Sequence, residues 1–143
     1  MKQLKHITLF LALTVGNLAS AQTAADLRIN EVMTLNDSSI VDEYGNHCGW
    51  IEIFNSSYNS VDIGGLFITD DIKNPTKSMI AKGTPSTVIA PQGHIVLFAT
   101  GGKSIGIQHL TFKIDNSKTI ALFDGNGRTL IDSVNLPKLD TNQ

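Results

Sequence analysis

Short runs of apolar and β-branched residues, separated by Gly, Asn, Asp and Pro, make up most of the chain after residue 26. None of these runs shows the sustained apolar spacing of an amphipathic helix, and several alternate between apolar and polar positions, as strands do. The pattern predicts an all-β antiparallel sandwich. Its predicted strands are 27–34, 49–55, 60–63, 66–69, 87–89, 94–99, 109–114, 119–124 and 128–134.

Two connections carry specific turn chemistry. Residues 90–93, Ala-Pro-Gln-Gly, place Pro where φ is already near −65° and Gly at the exit, which predicts a type I turn. Residues 124–127, Asp-Gly-Asn-Gly, tolerate positive φ, so the runs on either side are predicted to pair as a hairpin. The segment 70–86, which holds two prolines, is predicted to be an irregular excursion across one edge.

The first 21 residues have the features of a secretory signal peptide. Lys2 and Lys5 give a positive start, residues 7–15 are almost wholly apolar, and residues 19–21, Ala-Ser-Ala, have the small-x-small form that signal peptidase cleaves. The apolar stretch is shorter than the roughly 20 residues that a transmembrane helix needs. We therefore expect a chain that is cleaved near Ala21, has no stable membrane anchor, and is secreted, periplasmic or held at the cell surface.

Removal of the signal peptide makes the chain more acidic. It leaves nine basic and thirteen acidic residues, a net charge of −4, with no cluster of Lys or Arg. Proteins that bind nucleic acids normally present a basic surface, so no nucleic-acid partner is expected. Residues 22–137 are long enough for one domain, and residues 138–143 are expected to be a polar tail or a truncation point. The sequence leaves the oligomeric state open.

Cys48 is the only cysteine, so no internal disulfide can form and the core must be held by packing. We predict that Cys48 is a small buried side chain beside Trp50 rather than a nucleophile. Its neighbour His47 points to the opposite face if the segment is extended, which is the wrong geometry for a catalytic dyad.

Five motifs in order along the chain resemble the lamin tail domain. They are Ile-Asn-Glu-Val at 29–32, Trp-Ile-Glu-Ile-Phe-Asn at 50–55, Val-Asp-Ile-Gly-Gly-Leu-Phe-Ile-Thr-Asp-Asp at 61–71, Ile-Ala-Pro-Gln-Gly at 89–93 and Ile-Ala-Leu-Phe-Asp-Gly-Asn-Gly at 120–127. Bacterial members commonly have an acidic residue before the Trp, where this chain has Gly49.

The resemblance implies an immunoglobulin-like β-sandwich. In bacteria such domains are typically non-catalytic attachments on exported or surface proteins, often joined to nucleases, phosphatases or other hydrolases, and in lamins the domain is an interaction surface. The family supplies no catalytic residues that can be carried over to this chain.

The strand at 49–55 is a candidate binding surface. Alternation places its two isoleucines on one face and Trp50, Glu52 and Phe54 on the other. If the isoleucines face the core, two aromatic rings and a carboxylate point outward, an arrangement that suits a sugar ring. The alternative is that the 70–86 excursion covers Trp50 and Phe54 as ordinary packing.

Glu31 raises a related question, because it falls in register with Leu27, Ile29 and Met33, an otherwise apolar set. A carboxylate among core residues is unfavourable unless it is paired or bound to a cation. Glu31 and Glu52 are therefore candidates to flank a calcium ion or to act as an acid/base pair. The alternative, favoured by the resemblance, is a bulge that turns Glu31 to solvent.

The remaining acids do not form a recognisable site. They do not match the spacing of a calcium loop and are predicted to be solvated: Asp37, Asp42, Glu43, Asp70 and Asp71. No zinc spacing, nucleophile elbow or phosphate loop is present in the sequence.

We expect a secreted, non-catalytic interaction or anchoring module with no cofactor, whose partner is a protein or a surface glycan. The alternatives are a calcium-assisted carbohydrate-binding module, an accessory domain of an exported hydrolase, and a small hydrolase that uses Glu31 and Glu52.

Overall fold

The computed structural model describes residues 24–102, 106–115 and 118–137. The predicted signal peptide and C-terminal tail lie outside these residues. The described residues form two short 3-10 turns, Ala24–Asp26 and Pro85–Thr87, and nine strands. The strands are β1 (Leu27–Met33), β2 (Trp50–Asn55), β3 (Val61–Asp62), β4 (Phe67–Thr69), β5 (Ser78–Met79), β6 (Val88–Ile89), β7 (His94–Phe98), β8 (Thr119–Phe123) and β9 (Leu130–Asn135).

The strands form an immunoglobulin-like sandwich, which confirms the predicted all-β architecture. One sheet has the order β1-β2-β7, the other has the order β5-β4-β8-β9, and β3 and β6 form a separate pair. Every strand ladder is antiparallel.

The core lies between the two larger sheets and is built from alternate residues of their strands. Ile51 and Ile53 of β2 are fully buried, as are Ile120 and Leu122 of β8. Together with Ile68 of β4 they belong to one continuous hydrophobic cluster. The alternation along β2 therefore predicted the core-facing side of this strand correctly.

The hairpin at 124–127 is confirmed. Asp124 N–H donates to Thr129 O over 2.9 Å, and Gly127 has a φ of +65°. A bulge between Leu122 and Phe123 shifts the register near the turn.

The turn at 90–93 is not of type I. Gly93 N–H does donate to Ala90 O, at 2.9 Å, but Gln92 has a φ of +56°, which belongs to the third position of a type II turn. The side-chain amide of Gln92 donates to Ser56 O at 2.7 Å, and its backbone N–H donates to Ser57 O. These contacts with the neighbouring loop hold a non-glycine residue in the left-handed region.

The predicted strand 109–114 is wrong. His109 forms a single parallel bridge with Phe98 at the edge of β7. The chain then crosses to the other sheet, where Thr111 N–H donates to Ser78 Oγ and Thr111 Oγ1 donates to Lys77 O. The segment therefore connects the edges of the two sheets instead of adding a strand to either.

Candidate binding surface

The outward side of the three-stranded sheet carries all four candidate residues. Strand register places the side chains in three rows across β1, β2 and β7. We call this the outer face; its rows are Arg28, Phe54 and His94, then Glu31, Glu52 and Val96, then Met33, Trp50 and Phe98.

Glu31 is on the outer face because of a bulge in β1. Ile29 pairs with Ile53, but the next pair is Glu31 with Glu52, so Asn30 is an extra residue. The bulge that the resemblance favoured for Glu31 is therefore confirmed, and it turns the Glu31 side chain out of the apolar register and exposes it. The two carboxylates now lie directly opposite each other on adjacent strands.

Glu52 is held by one hydrogen bond on the outer face and has an imidazole nearby. Asn30 Nδ2 donates to Glu52 Oε1 at 2.7 Å, and His94 Nε2 lies 3.8 Å from Glu52 Oε2. The Glu52 side chain is 16% exposed, and Phe54, next along the strand, is half-buried.

Trp50 does not present its ring to solvent, since the residue is only 6% exposed. Its cross-strand neighbour Phe98 packs against His109, with ring centroids 5.9 Å apart. The 70–86 segment contributes β5 to the other sheet. Trp50 is thus a packing residue in the row of the outer face that also contains Phe98, next to His109.

A hydrogen bond that the sequence did not reveal joins the buried His109 to Glu43, whose side chain is 47% exposed, beside Trp50 and Phe98. His109 Nε2 is 2.9 Å from Glu43 Oε2, and the imidazole is 1% exposed between Tyr44 and Phe98. The hydrogen bond with His109 lowers the pKa of Glu43 below its ordinary value. Neither His109 Nδ1 nor Trp50 Nε1 has a hydrogen-bond partner among the described residues.

Asp42 is buried, contrary to the prediction that it is solvated. Its carboxylate accepts the N–H groups of Tyr44 and Asn46 and closes its own loop. Burial raises the pKa of Asp42, but these hydrogen bonds and the charge of His109 outweigh it, so the pKa lies below its ordinary value.

Cys48 is half-buried rather than buried, beside the same loop. Burial, assisted by the charge of Asp42, raises the pKa of its thiol, which disfavours the reactive thiolate. The thiol lines a shallow cavity together with Asp42, His47 and His109.

Asp70 is the second predicted surface acid that is buried. Its side chain is 2% exposed and accepts hydrogen bonds from Lys77 Nζ and Lys118 Nζ, the latter at 3.1 Å. Burial raises the pKa of Asp70, but the two ammonium groups outweigh it and hold the pKa below its ordinary value. The site links the start of the 70–86 excursion to the residue before β8.

Nothing in the described ranges resembles a metal centre, since no three His, Cys, Asp or Glu side chains converge there. Likewise, none of the described segments forms a helix of the length and apolarity needed to cross a membrane.

Of the candidate residues, Glu31 and Glu52 come together, with Phe54 beside Glu52, whereas Trp50 is withdrawn from the surface.

Comparison with known proteins identifies one family. The model of the Lamin Tail Domain matches residues 20–138 and so covers every strand. No curated protein matches the chain.

Proposed function

The chain belongs to the lamin tail domain family, and on that premise we propose that it is an exported, non-catalytic module that attaches to another protein at or outside the bacterial cell surface. Support for export comes from the charged, apolar and small-residue order of residues 1–21. Support for attachment comes from the immunoglobulin-like fold and from one strand edge.

The observation that carries this proposal is the open part of the β7 edge. Phe98 N–H donates to Gln108 O, and Leu110 N–H donates to Phe98 O, so the backbone groups of Phe98 point away from β2. Because this direction alternates along a strand, those of His94 and Val96 point the same way. They have no hydrogen-bond partner in the part of the chain that the structure describes.

Unpaired backbone groups at a sheet edge recruit an additional strand. Next to this edge the outer face offers apolar surface from Val96 and Phe54, both half-buried, and charged or polar groups from His94 and Glu52. Mixed surfaces of this kind are typical of non-obligate protein interfaces. The open edge and the flanking side chains together form a binding surface for an extended segment of a partner.

The test compares where two variants are found after export. Val96→Lys places a charge beside the open edge, as edge strands that avoid pairing do. Val88→Lys is the matched control, because Val88 is an exposed residue of β6 in a different pair of strands. The tagged chains are produced in the native cells, and the surface and medium fractions are compared.

We expect the parent chain and Val88→Lys to remain at the surface and Val96→Lys to move to the medium. Protease treatment of the cells should abolish rebinding of the parent chain, whereas periodate oxidation of glycans should not. Retention of Val96→Lys, or a parent chain found wholly in the cytoplasm, contradicts the proposal. N-terminal sequencing of the exported chain should begin near Gln22.

A calcium-assisted carbohydrate-binding module is the second candidate, and the opposed carboxylates of Glu31 and Glu52 favour it. With Trp50 buried, Phe54 would provide the ring against the sugar. A glycan array with and without chelator tests this candidate, and chelator-sensitive binding that Glu31→Gln removes would support it. Sequencing the gene beyond the codon for Gln143 tests the alternative of an accessory domain of an exported hydrolase.

A further inference from the structure

The first and last strands of the sandwich run side by side in the same direction. One cavity is lined by Ala24, Ala25 and Arg28 from the β1 side and by Asp124 and residues 129–131 from the β9 side. Residues 29–32 line a second cavity with residues 134–137. The two strands belong to different sheets and form no backbone ladder with each other. We call the second cavity the β1–β9 groove.

One carboxylate ties these two edges together. Asp132 Oδ2 accepts the N–H of Ile29 at 2.8 Å, and Asp132 Oδ1 accepts the N–H of Ser133 at 2.9 Å. A single side chain therefore bridges the sheets at this point, and the groove begins beyond it.

The β1 side of the groove has unpaired backbone groups. Asn55 N–H donates to Gly93 O on the β7 side of β2, so Ile51, four residues earlier, turns its backbone groups the same way. Val32 lies opposite Ile51 in the register, at a position where the two residues exchange no backbone hydrogen bonds. The N–H and C=O of Val32 consequently point into the groove, where no described residue bonds to them.

The β9 side is built in the same way. Leu136 N–H donates to Lys118 O, which continues the β8–β9 ladder. The alternate residues Ser133 and Asn135 therefore direct their backbone groups away from β8 and toward the groove. Asn135 N–H has no acceptor among the described residues.

Apolar side chains form the floor of the groove. Ile29, Val32, Val134 and Leu136 pack against the core but remain partly exposed. They point inward, since Val32 pairs with Ile51 and Val134 pairs with Ile120, both fully buried. The hydrophobic core is thus accessible at this position.

The rim of the groove is acidic on the outer face. Glu31 is exposed and has no hydrogen-bond or ion-pair partner among the described residues. It lies opposite Glu52, so the two carboxylates repel each other. No Lys or Arg is among the residues that line the groove.

We propose that the β1–β9 groove binds a short extended segment of a partner protein in which apolar and basic residues alternate. Successive side chains of a strand point to opposite faces. The apolar side chains of a strand added beside β1 therefore enter the opening between Val32 and Val134, and the basic side chains lie against Glu31. The backbone of the segment pairs with Val32. The inference rests on the proposed attachment role and names the chemistry of a partner at a second edge.

The test is a titration of the exported chain, labelled with nitrogen-15, with synthetic peptides. The probe is acetyl-Lys-Val-Lys-Val-Lys-amide, and its matched control has Glu in place of each Lys. We expect the Lys peptide to shift the amide signals of Val32 and Asn135 and to bind about tenfold more tightly than the Glu peptide, the effect of one favourable charge contact. N-methylation of the two Val residues should abolish binding, because it removes the ladder donors.

Charge reversal in the protein provides the decisive comparison. Glu31→Lys should reverse the preference so that the Glu peptide binds more tightly, whereas Asp37→Lys, at an exposed acid outside the groove, should leave it unchanged. Equal affinity of the two peptides for the parent chain, or shifts confined to other residues, overturns the proposal. Val96→Lys should bind the Lys peptide normally, which separates a failure here from a failure at the β7 edge.

Discussion

Two carboxylate sites in this domain differ in the charge of their neighbours. Asp70 is buried and receives hydrogen bonds from two lysines, Lys77 and Lys118. Glu31 and Glu52 face each other across β1 and β2 with no lysine or arginine paired to either among the described residues. The first site brings opposite charges together away from water. The second brings two carboxylates together at the surface, where Glu31 is exposed and the Glu52 side chain is 16% exposed.

The difference reflects how exposure to water changes the free-energy cost of placing charged groups next to each other. A buried carboxylate loses its hydration and must recover that free energy from charged donors. Glu31 is exposed, so water and salt screen its interaction with the partly buried Glu52, and the unfavourable pair costs only a few tenths of a kcal/mol to about 1 kcal/mol. The Asp70 site stabilises the fold, whereas the Glu31 carboxylate has no hydrogen-bond or ion-pair partner among the described residues.

The largest effect is expected from removing the buried carboxylate. Asp70→Ala should lower the free energy of unfolding by about 2–3 kcal/mol, because two charge-assisted hydrogen bonds are lost. Urea denaturation monitored by Trp50 fluorescence measures this. Asp71→Ala, at the exposed neighbouring acid, is the control and should have a much smaller effect. Similar losses in the two variants would contradict the role of the Asp70 site.

The contribution of Asp70 should disappear in acid. Its pKa in the folded chain lies below the ordinary value of 3.8, so its stabilisation is present above that pH and is lost as the pH falls through the folded pKa. The gap in urea midpoint between the parent chain and Asp70→Asn should therefore be constant near pH 7 and narrow below about pH 3.8. A gap that persists at pH 2 would argue against this linkage.

The smallest effect on the free energy of unfolding is expected at the Glu31–Glu52 pair. Glu31→Gln should raise the free energy of unfolding by about 0.2–1 kcal/mol, since it removes the repulsion with Glu52. Glu52→Gln should change it little, because the amide oxygen can still accept from Asn30. A double-mutant cycle isolates the pair. Destabilisation by Glu31→Gln that a chelator abolishes would instead indicate a bound cation.

The sequence predicted those parts of the fold that depend on local patterns. Alternation identified the buried side of β2, and the Asp-Gly-Asn-Gly run identified the β8–β9 hairpin. The two-residue strand β5 was missed, because Ser78 and Met79 carry no alternation of their own and pair with β4 through the tertiary fold.

The candidate site was predicted less well, since burial of a charged group depends on partners far along the chain. Lys118, which pairs with Asp70, lies 48 residues away, and His109, which pairs with Glu43, lies 66 residues away. The bulge at Asn30 was predicted from the family resemblance, because the alternation of β1 alone places Glu31 among the apolar residues. Its effect was to bring Glu31 and Glu52 to the same face.

The carboxylate of Asp132 has a mechanical consequence. A pulling force applied to the start of β1 and the end of β9 would load these two parallel strands in shear, and the described residues offer one side-chain bridge between them in place of a ladder. If neighbouring polypeptide tethers the domain at both ends, the first rupture should occur at the Ile29–Asp132 contact. A segment bound in the β1–β9 groove would add contacts between the two strands and raise the force needed to separate them.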